Sequence, residues 1–260
     1  MSIQAIDVHA HFGQSITSRP DFVDEWLSGD LKKVVERAKL SNTDLTMVSP
    51  LAALFPRLKG NPVNGNDDAF KKIQDFPEIR QWVVVDPLKP DTYFQADEML
   101  KHSHCIGIKI HPEEHGYHIT EYGKKIFEFA EKNNAIIQTH SGEKNSLPVD
   151  FLKLANDFPG VKLIISHLGC GFDNDPTHQV RAIQKSCHRN IFTDTSSAMS
   201  ITPGLLEWAV KEIGAEHILY GTDSPLYFAP MQRARIDFAE ISDVDKKLIL
   251  RDNAVRIFKL

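Results

Sequence analysis

Asp7, His9 and His11 occupy alternate positions in the run IDVHAHF, residues 6–12 of a 260-residue chain. Alternation at period two is strand geometry, which predicts that the three share one face while Val8 and Ala10 share the other. Ionisable groups on a face otherwise fit for burial need something to balance them, and two imidazoles one pleat apart can grip a metal ion. Histidines recur at the ends of three more apolar runs, His111 in GIKIHP, His140 in QTHSG and His167 in SHLG, and Asp223 ends a fourth in YGTDSP. Catalytic zinc takes about three or four protein ligands and keeps a position open for water, whose pKa it lowers to about 7. Hydrolysis by a metal-bound hydroxide is the chemistry such a set supports. It also needs proton carriers, a role for which Asp223 and His167 are suited.

For these residues to meet, the chain must bring distant segments to one place. Eight β-type runs alternate with helical segments: 6–11, 45–50, 81–87, 105–112, 135–142, 161–169, 191–197 and 217–225. Several are rich in Val and Ile on both faces, as parallel strands buried on both sides are. Their terminal polar residues, His11, Ser49, Asp86, His111, His140, His167, Ser196 and Asp223, are spaced 25 to 38 residues apart. A strand with its returning helix needs roughly thirty residues, and eight such units predict a single-domain α/β fold over 1–260, a closed (β/α)8 barrel. The intervening segments 31–40, 121–133, 148–158, 178–188 and 203–214 carry helical spacing, with Pro148 and Pro203 read as first-turn prolines.

In a closed barrel the strand ends converge on one mouth, placing Asp223 beside His9 and His11, with His140 approaching from strand five. Lys109 and His111, two apart, face inward from strand four. Lys109 is read as an anchor for a substrate carboxylate or, if carbamylated, as a bridge between two metals. The two widest gaps hold residues 12–29 and 51–66, expected to be long loops that build the substrate pocket. Arg57 is a further candidate anchor there, and Phe12, Trp26, Phe55 and Tyr227 are candidate lining residues. Asp7 is expected to orient the ligands of the first strand by hydrogen bonding. The other seven histidines, 102, 104, 115, 118, 178, 188 and 217, are read as solvated.

A net charge of −5 without a basic run argues against nucleic-acid binding, and no apolar run reaches the ~18 residues needed to cross a bilayer. Cys105, Cys170 and Cys187 are odd in number and lack paired CxxC spacing, so they read as reduced thiols in a cytoplasmic protein. Cys170 is a candidate for the pocket wall. A small-molecule substrate and a homodimer are the expected partners.

The same motifs make the sequence resemble the amidohydrolase superfamily, specifically the amidohydrolase-2 group of metal-dependent TIM-barrel enzymes. The resemblance runs from IDVHAHF through GIKIHP, QTHSG, SHLG and YGTDSP to the closing DNAVRIF at 252–258, where Asn253, Arg256 and Phe258 look structural. It implies that His9, His11, His140 and Asp223 hold one divalent metal ion, usually zinc, with His167 the catalytic histidine of strand six. It also puts Lys109 at the position carbamylated in binuclear relatives, leaving room for a second metal.

The group includes hydrolases of amides, esters and lactones, together with zinc-dependent decarboxylases and hydratases of small acids. The chain is shorter than the decarboxylases of the group, which favours a metal-dependent hydrolase. Such an enzyme would cleave an amide, ester or lactone bond of a small polar or carboxylated substrate with metal-activated water. The alternative is a nonoxidative decarboxylase of a small aromatic or unsaturated acid, and a lesser one is a non-catalytic, metal-stabilised binding protein.

Overall fold

A computed structural model describes residues 3–15, 21–55 and 60–260. Eight parallel strands pair in sequence order: β1 (Ala5–Phe12), β2 (Thr43–Pro50), β3 (Ile79–Val84), β4 (Cys105–Ile110), β5 (Ile137–Thr139), β6 (Leu163–Ile165), β7 (Ile191–Asp194) and β8 (Ile218–Leu219). The N–H of Val8 donates to the carbonyl of Tyr220 at 2.9 Å and that of His11 to Ser224 at 2.6 Å, bringing β1 against the β8 segment. The result is a (β/α)8 barrel. Each of the eight runs read from the sequence overlaps one of its strands. The later strands are shorter than those runs, so His140, His167 and Asp223 sit just past strand ends.

Apolar residues on both strand faces divide into two layers. Val83, Ile108, Ile110, Ile137 and Leu163 pack outward against the helices. Ile6, Val8, Trp82, Ile164, Phe192 and Leu219 fill the interior with Ala254 and Ile257 of the C-terminal helix. The helix Leu31–Leu40 shows why the surrounding elements form. Leu31, Val34, Val35 and Ala38 repeat at helical spacing and are buried, and the Asp30 side chain accepts from the N–H of Lys33 to cap it. No helix among the described residues is long and apolar enough to cross a membrane.

Strict alternation fails in β1. Asp7 pairs with Thr46 and Ala10 with Val48, so β1 carries one more residue than β2 between those pairs. A bulge of this kind re-aims side chains. Val8 accordingly joins the interior cluster around Trp82, while Ala10 packs outward with Val34 and Ile73. Asp7 does not share the cavity with His9 and His11. Its carboxylate accepts from the backbone N–H groups of His9 and Thr222, at 3.0 and 3.1 Å, and from the Thr222 hydroxyl. It therefore orients the ligands through the backbone, tying β1 to the chain after β8. Burial pushes the Asp7 carboxyl up to about 7.

The segments expected to be loops carry helices. Asp21–Trp26 is helical, as are Leu51–Leu54 and Pro62–Ile73, where the Asn61 side chain caps the N–H of Asn64. Gly65, within the second segment expected to be a loop, is instead packed: a Cβ on it would lie 2.6 Å from the backbone nitrogen of Ala53, so only glycine lets the two helices meet. Pro203 is not a first-turn proline; the helix begins at Leu205 after Gly204, whose left-handed φ of 78° caps it. His115 and His217 are buried, not solvated, and His217 Nδ1 donates to the Ile191 carbonyl.

Candidate active site

At the C-terminal ends of the strands lies a cavity of about 440 Å³ whose walls include His9, His11, Lys109, His140, His167 and Asp223. That volume suits a small molecule. His111 lines the cavity as well, so seven of the ionisable candidates read from the sequence surround one space. Phe55, Tyr227 and Cys170 also line it. Phe12 does not; it is buried in the outer core, and Trp26 is exposed beside Phe22. Arg57 lies outside the described residues.

The two β1 histidines are fixed by partners that can only accept. His9 Nδ1 donates to Asp194 Oδ2 at 3.0 Å, and His11 Nδ1 to the Ser49 carbonyl at 3.3 Å. Their Nε2 atoms are left without a proton and face Asp223 Oδ1, at 3.6 Å from His9 and 2.7 Å from His11. Acceptors this close repel unless a proton or metal ion stands between them. Lys109 Nζ, 3.0 Å from His9 Nε2 and 3.2 Å from Gln138 Oε1, answers only the His9 side. The ligand atoms of His9, His11 and Asp223 lie within 4.8 Å of one another. Two imidazoles and a carboxylate, each oriented by further hydrogen bonds, are a donor set fit for a divalent metal ion.

His140 stands in the same wall but outside that trio: its Nε2 is 3.2 Å from Glu143 Oε1. Its ring stacks on that of His111, with centroids 4.2 Å apart and planes 9° from parallel. Burial and the neighbouring His140 hold the His111 imidazole well below its ordinary pKa, and it is neutral. Both rings line the cavity.

Electrostatics follow from burial and from who touches whom. Burial, with Lys109 nearby, pushes His9 down to about 4, and burial holds His167 well below the ordinary range, so both rings are neutral at pH 7. Burial works against the Asp223 anion, but the neighbouring imidazoles, His11 foremost, hold the carboxyl below its ordinary value. Burial lowers Lys109 to about 8, so it stays largely an ammonium at neutral pH. His167 and Asp223 both hold left-handed backbone, φ 72° and 55°. That conformation costs a non-glycine residue about 1 kcal/mol or more and gathers at functional sites. Here it is held by the His167 N–H on Asp194 Oδ1 at 3.1 Å and the Asp223 N–H on the His9 carbonyl at 2.7 Å.

Asp194 and Ser196 were missed as functional residues. Both are fully buried and bonded to the histidines of the site. The signal was present in TDTSS at 193–197, two polar residues at strand spacing on the end of β7.

The sequence model of the amidohydrolase family (Amidohydro_2) matches residues 6–260. The chain belongs to that family. It is an enzyme fold of the amidohydrolase superfamily, and its conserved architecture is visible in solved structures of low sequence identity. A 2,6-dihydroxybenzoate decarboxylase complexed with 2,6-dihydroxybenzoate is 14% identical, covers 100% of both chains and superposes with a TM-score of 0.80. The 5-carboxyvanillate decarboxylase of Sphingomonas paucimobilis is 14% identical over 100% of both chains, TM-score 0.76. A dihydroxybenzoic acid decarboxylase from Polaromonas sp. JS666, with bound manganese and the inhibitor 2-nitroresorcinol, is 16% identical over 100% of this chain and 98% of its own, TM-score 0.77. No curated protein matches the chain in sequence. At such identities the likeness establishes the shared barrel, and the chemistry of this amidohydrolase-family member is argued from its own residues.

Proposed function

We propose that the chain is a metal-dependent nonoxidative decarboxylase of a small aromatic or unsaturated carboxylic acid. This replaces hydrolysis as the favoured reading. One observation carries it: the donor trio and the Lys109 ammonium share the cavity with the flat His111–His140 pair. A cationic corner suits a carboxylate, and an aromatic wall suits a planar ring. Support comes from the full-length likeness to decarboxylases of aromatic acids, one holding manganese. Chain length, which pointed to hydrolysis, loses its force because coverage of those structures is complete or nearly so.

His9, His11 and Asp223 would hold the ion, manganese or zinc, with His140 within reach of the same cavity. When bound, the metal supplies a Lewis acid that grips and orients the carboxylate. Lys109 adds its positive charge beside His9. His167 Nε2, which makes no protein hydrogen bond among the described residues, takes a proton from solvent beside the bound carboxylate. The imidazolium delivers this proton to the substrate carbon as the C–C bond breaks, the bonding pair stays on that carbon and carbon dioxide leaves. Atoms and charge balance without an external oxidant or reductant.

The direct test incubates the metal-loaded protein with a panel of hydroxybenzoic and enoic acids in D2O. Carbon dioxide release with one deuterium at the vacated carbon is expected. Hydrolysis of lactones or amides with no carbon dioxide from any acid would overturn the reading. Hydrolysis remains the second reading because Lys109 lies on β4 against His9, where a carbamylated lysine could hold a second ion and favour attack by hydroxide.

A further inference from the structure

We propose that Asp194 is a positioning residue that fixes the ring tautomers of both His9 and His167, with Ser196 as the link to the second. The proposal rests on the metal site and on the proton-carrying role of His167, and it is independent of which substrate bond is broken.

Asp194 is completely buried at the end of β7, and its carboxylate can only accept. Oδ2 takes the His9 Nδ1 proton at 3.0 Å, which leaves His9 Nε2 bare toward Asp223. Oδ1 takes the backbone N–H groups of His167 and Ser196, each at 3.1 Å, and the Ser196 hydroxyl in a very short contact. Ser196 has one hydroxyl proton, and that contact uses it. Its oxygen, 2.8 Å from His167 Nδ1, must then accept, so His167 also carries its proton on Nδ1 and turns a bare Nε2 to the cavity. One carboxylate thus sets two rings, the first directly and the second through a serine. Ser196 Oγ is also 3.0 Å from His9 Nδ1, which keeps both rings on the same anchor.

An asparagine at 194 has the same shape but can turn an N–H₂ group toward these partners. Facing Nδ1 of His9, that group would donate, move the ring proton to Nε2 and block the lone pair that faces the metal. Losing a carboxylate that orients a metal-binding histidine costs about 10–100-fold in metal affinity.

The test reads histidine ¹⁵N chemical shifts in metal-free, substrate-free protein, with Mn²⁺ affinity measured calorimetrically. In the native protein His9 and His167 are expected as Nδ1–H tautomers. Asp194→Asn should convert His9 to the Nε2–H form and weaken Mn²⁺ binding about 10–100-fold. Ser196→Ala should alter only His167 and leave Mn²⁺ affinity within about threefold, while Ser196→Thr, which keeps the hydroxyl, restores the native pattern. A native His9 tautomer or unchanged Mn²⁺ affinity in Asp194→Asn would overturn the proposal. Should Asp194→Asn fail to fold, the serine variants decide: an unchanged His167 tautomer in Ser196→Ala overturns it. Because the tautomers are read without substrate, an inactive decarboxylase assay would leave this outcome unaffected.

Discussion

Replacing Asp223 by asparagine is expected to cut turnover by about 10³-fold or more while the barrel stays folded. The substitution keeps shape and removes charge. Asp223 is the only anionic residue of the trio, and its Oδ1 lies 2.7 Å from His11 Nε2 and 3.6 Å from His9 Nε2. An amide in its place lowers the charge that holds a divalent ion and can no longer stabilise an imidazolium across the cavity. Folding should survive because asparagine is among the few side chains at ease in left-handed backbone, and Asp223 has φ 55°. The bond from its N–H to the His9 carbonyl involves no side chain and persists. Carbon dioxide release under saturating substrate, with circular dichroism and a melting curve on the same sample, checks this. Near-native turnover would remove Asp223 from the chemistry.

Trp82→Ala is expected to destabilise the protein by about 3–5 kcal/mol and also to weaken metal binding. Trp82 fills the barrel interior with no exposed surface and meets Phe258 edge-on, centroids 5.6 Å apart. Gly107 on β4 makes room for it: a Cβ there would lie 2.6 Å from Trp82 Cζ3. Most of the cost is the cavity left by the indole. The link to function runs through the β1 bulge. Trp82 Nε1 donates to the Val8 carbonyl at 2.9 Å, and Gln138 Nε2 donates to the same oxygen at 2.9 Å. These bonds hold the irregular turn of chain that aims His9 into the cavity. Urea unfolding gives the stability change, and metal titration on the folded variant gives the second effect. A loss below about 1 kcal/mol would mean that the interior closes around the gap more readily than tight packing allows.

Much of this architecture is written in the sequence because its signal is local. The Leu31–Leu40 helix can be read from its apolar spacing and Asp30 cap, and the strands from runs such as VVV and IIS. The convergence of His9, His11, His167 and Asp223 could be read once eight evenly spaced strands implied closure, because topology alone then places strand ends at one mouth. What escaped was long-range. The bulge in β1 depends on pairing with β2 and on two side chains reaching Val8 from β3 and β5, so Asp7 was assigned to the wrong face. The Asp194–Ser196 pair drew no notice because a buried polar residue on a strand has meaning only through its partners, which lie up to 187 positions away. Residues 51–66 were expected to form a loop where two helices pack, with glycine at 65 required by their close approach. The reaction itself is the least legible part, since one arrangement of histidines and carboxylate serves both hydrolysis and decarboxylation.

Calorimetric titration of chelator-treated protein with Mn²⁺ and Zn²⁺, beside His11→Ala, tests the metal centre most directly. The site described here predicts one ion bound per chain and a loss of affinity of at least about 100-fold in the variant. Absence of binding by either ion, or equal affinity in both proteins, would contradict it.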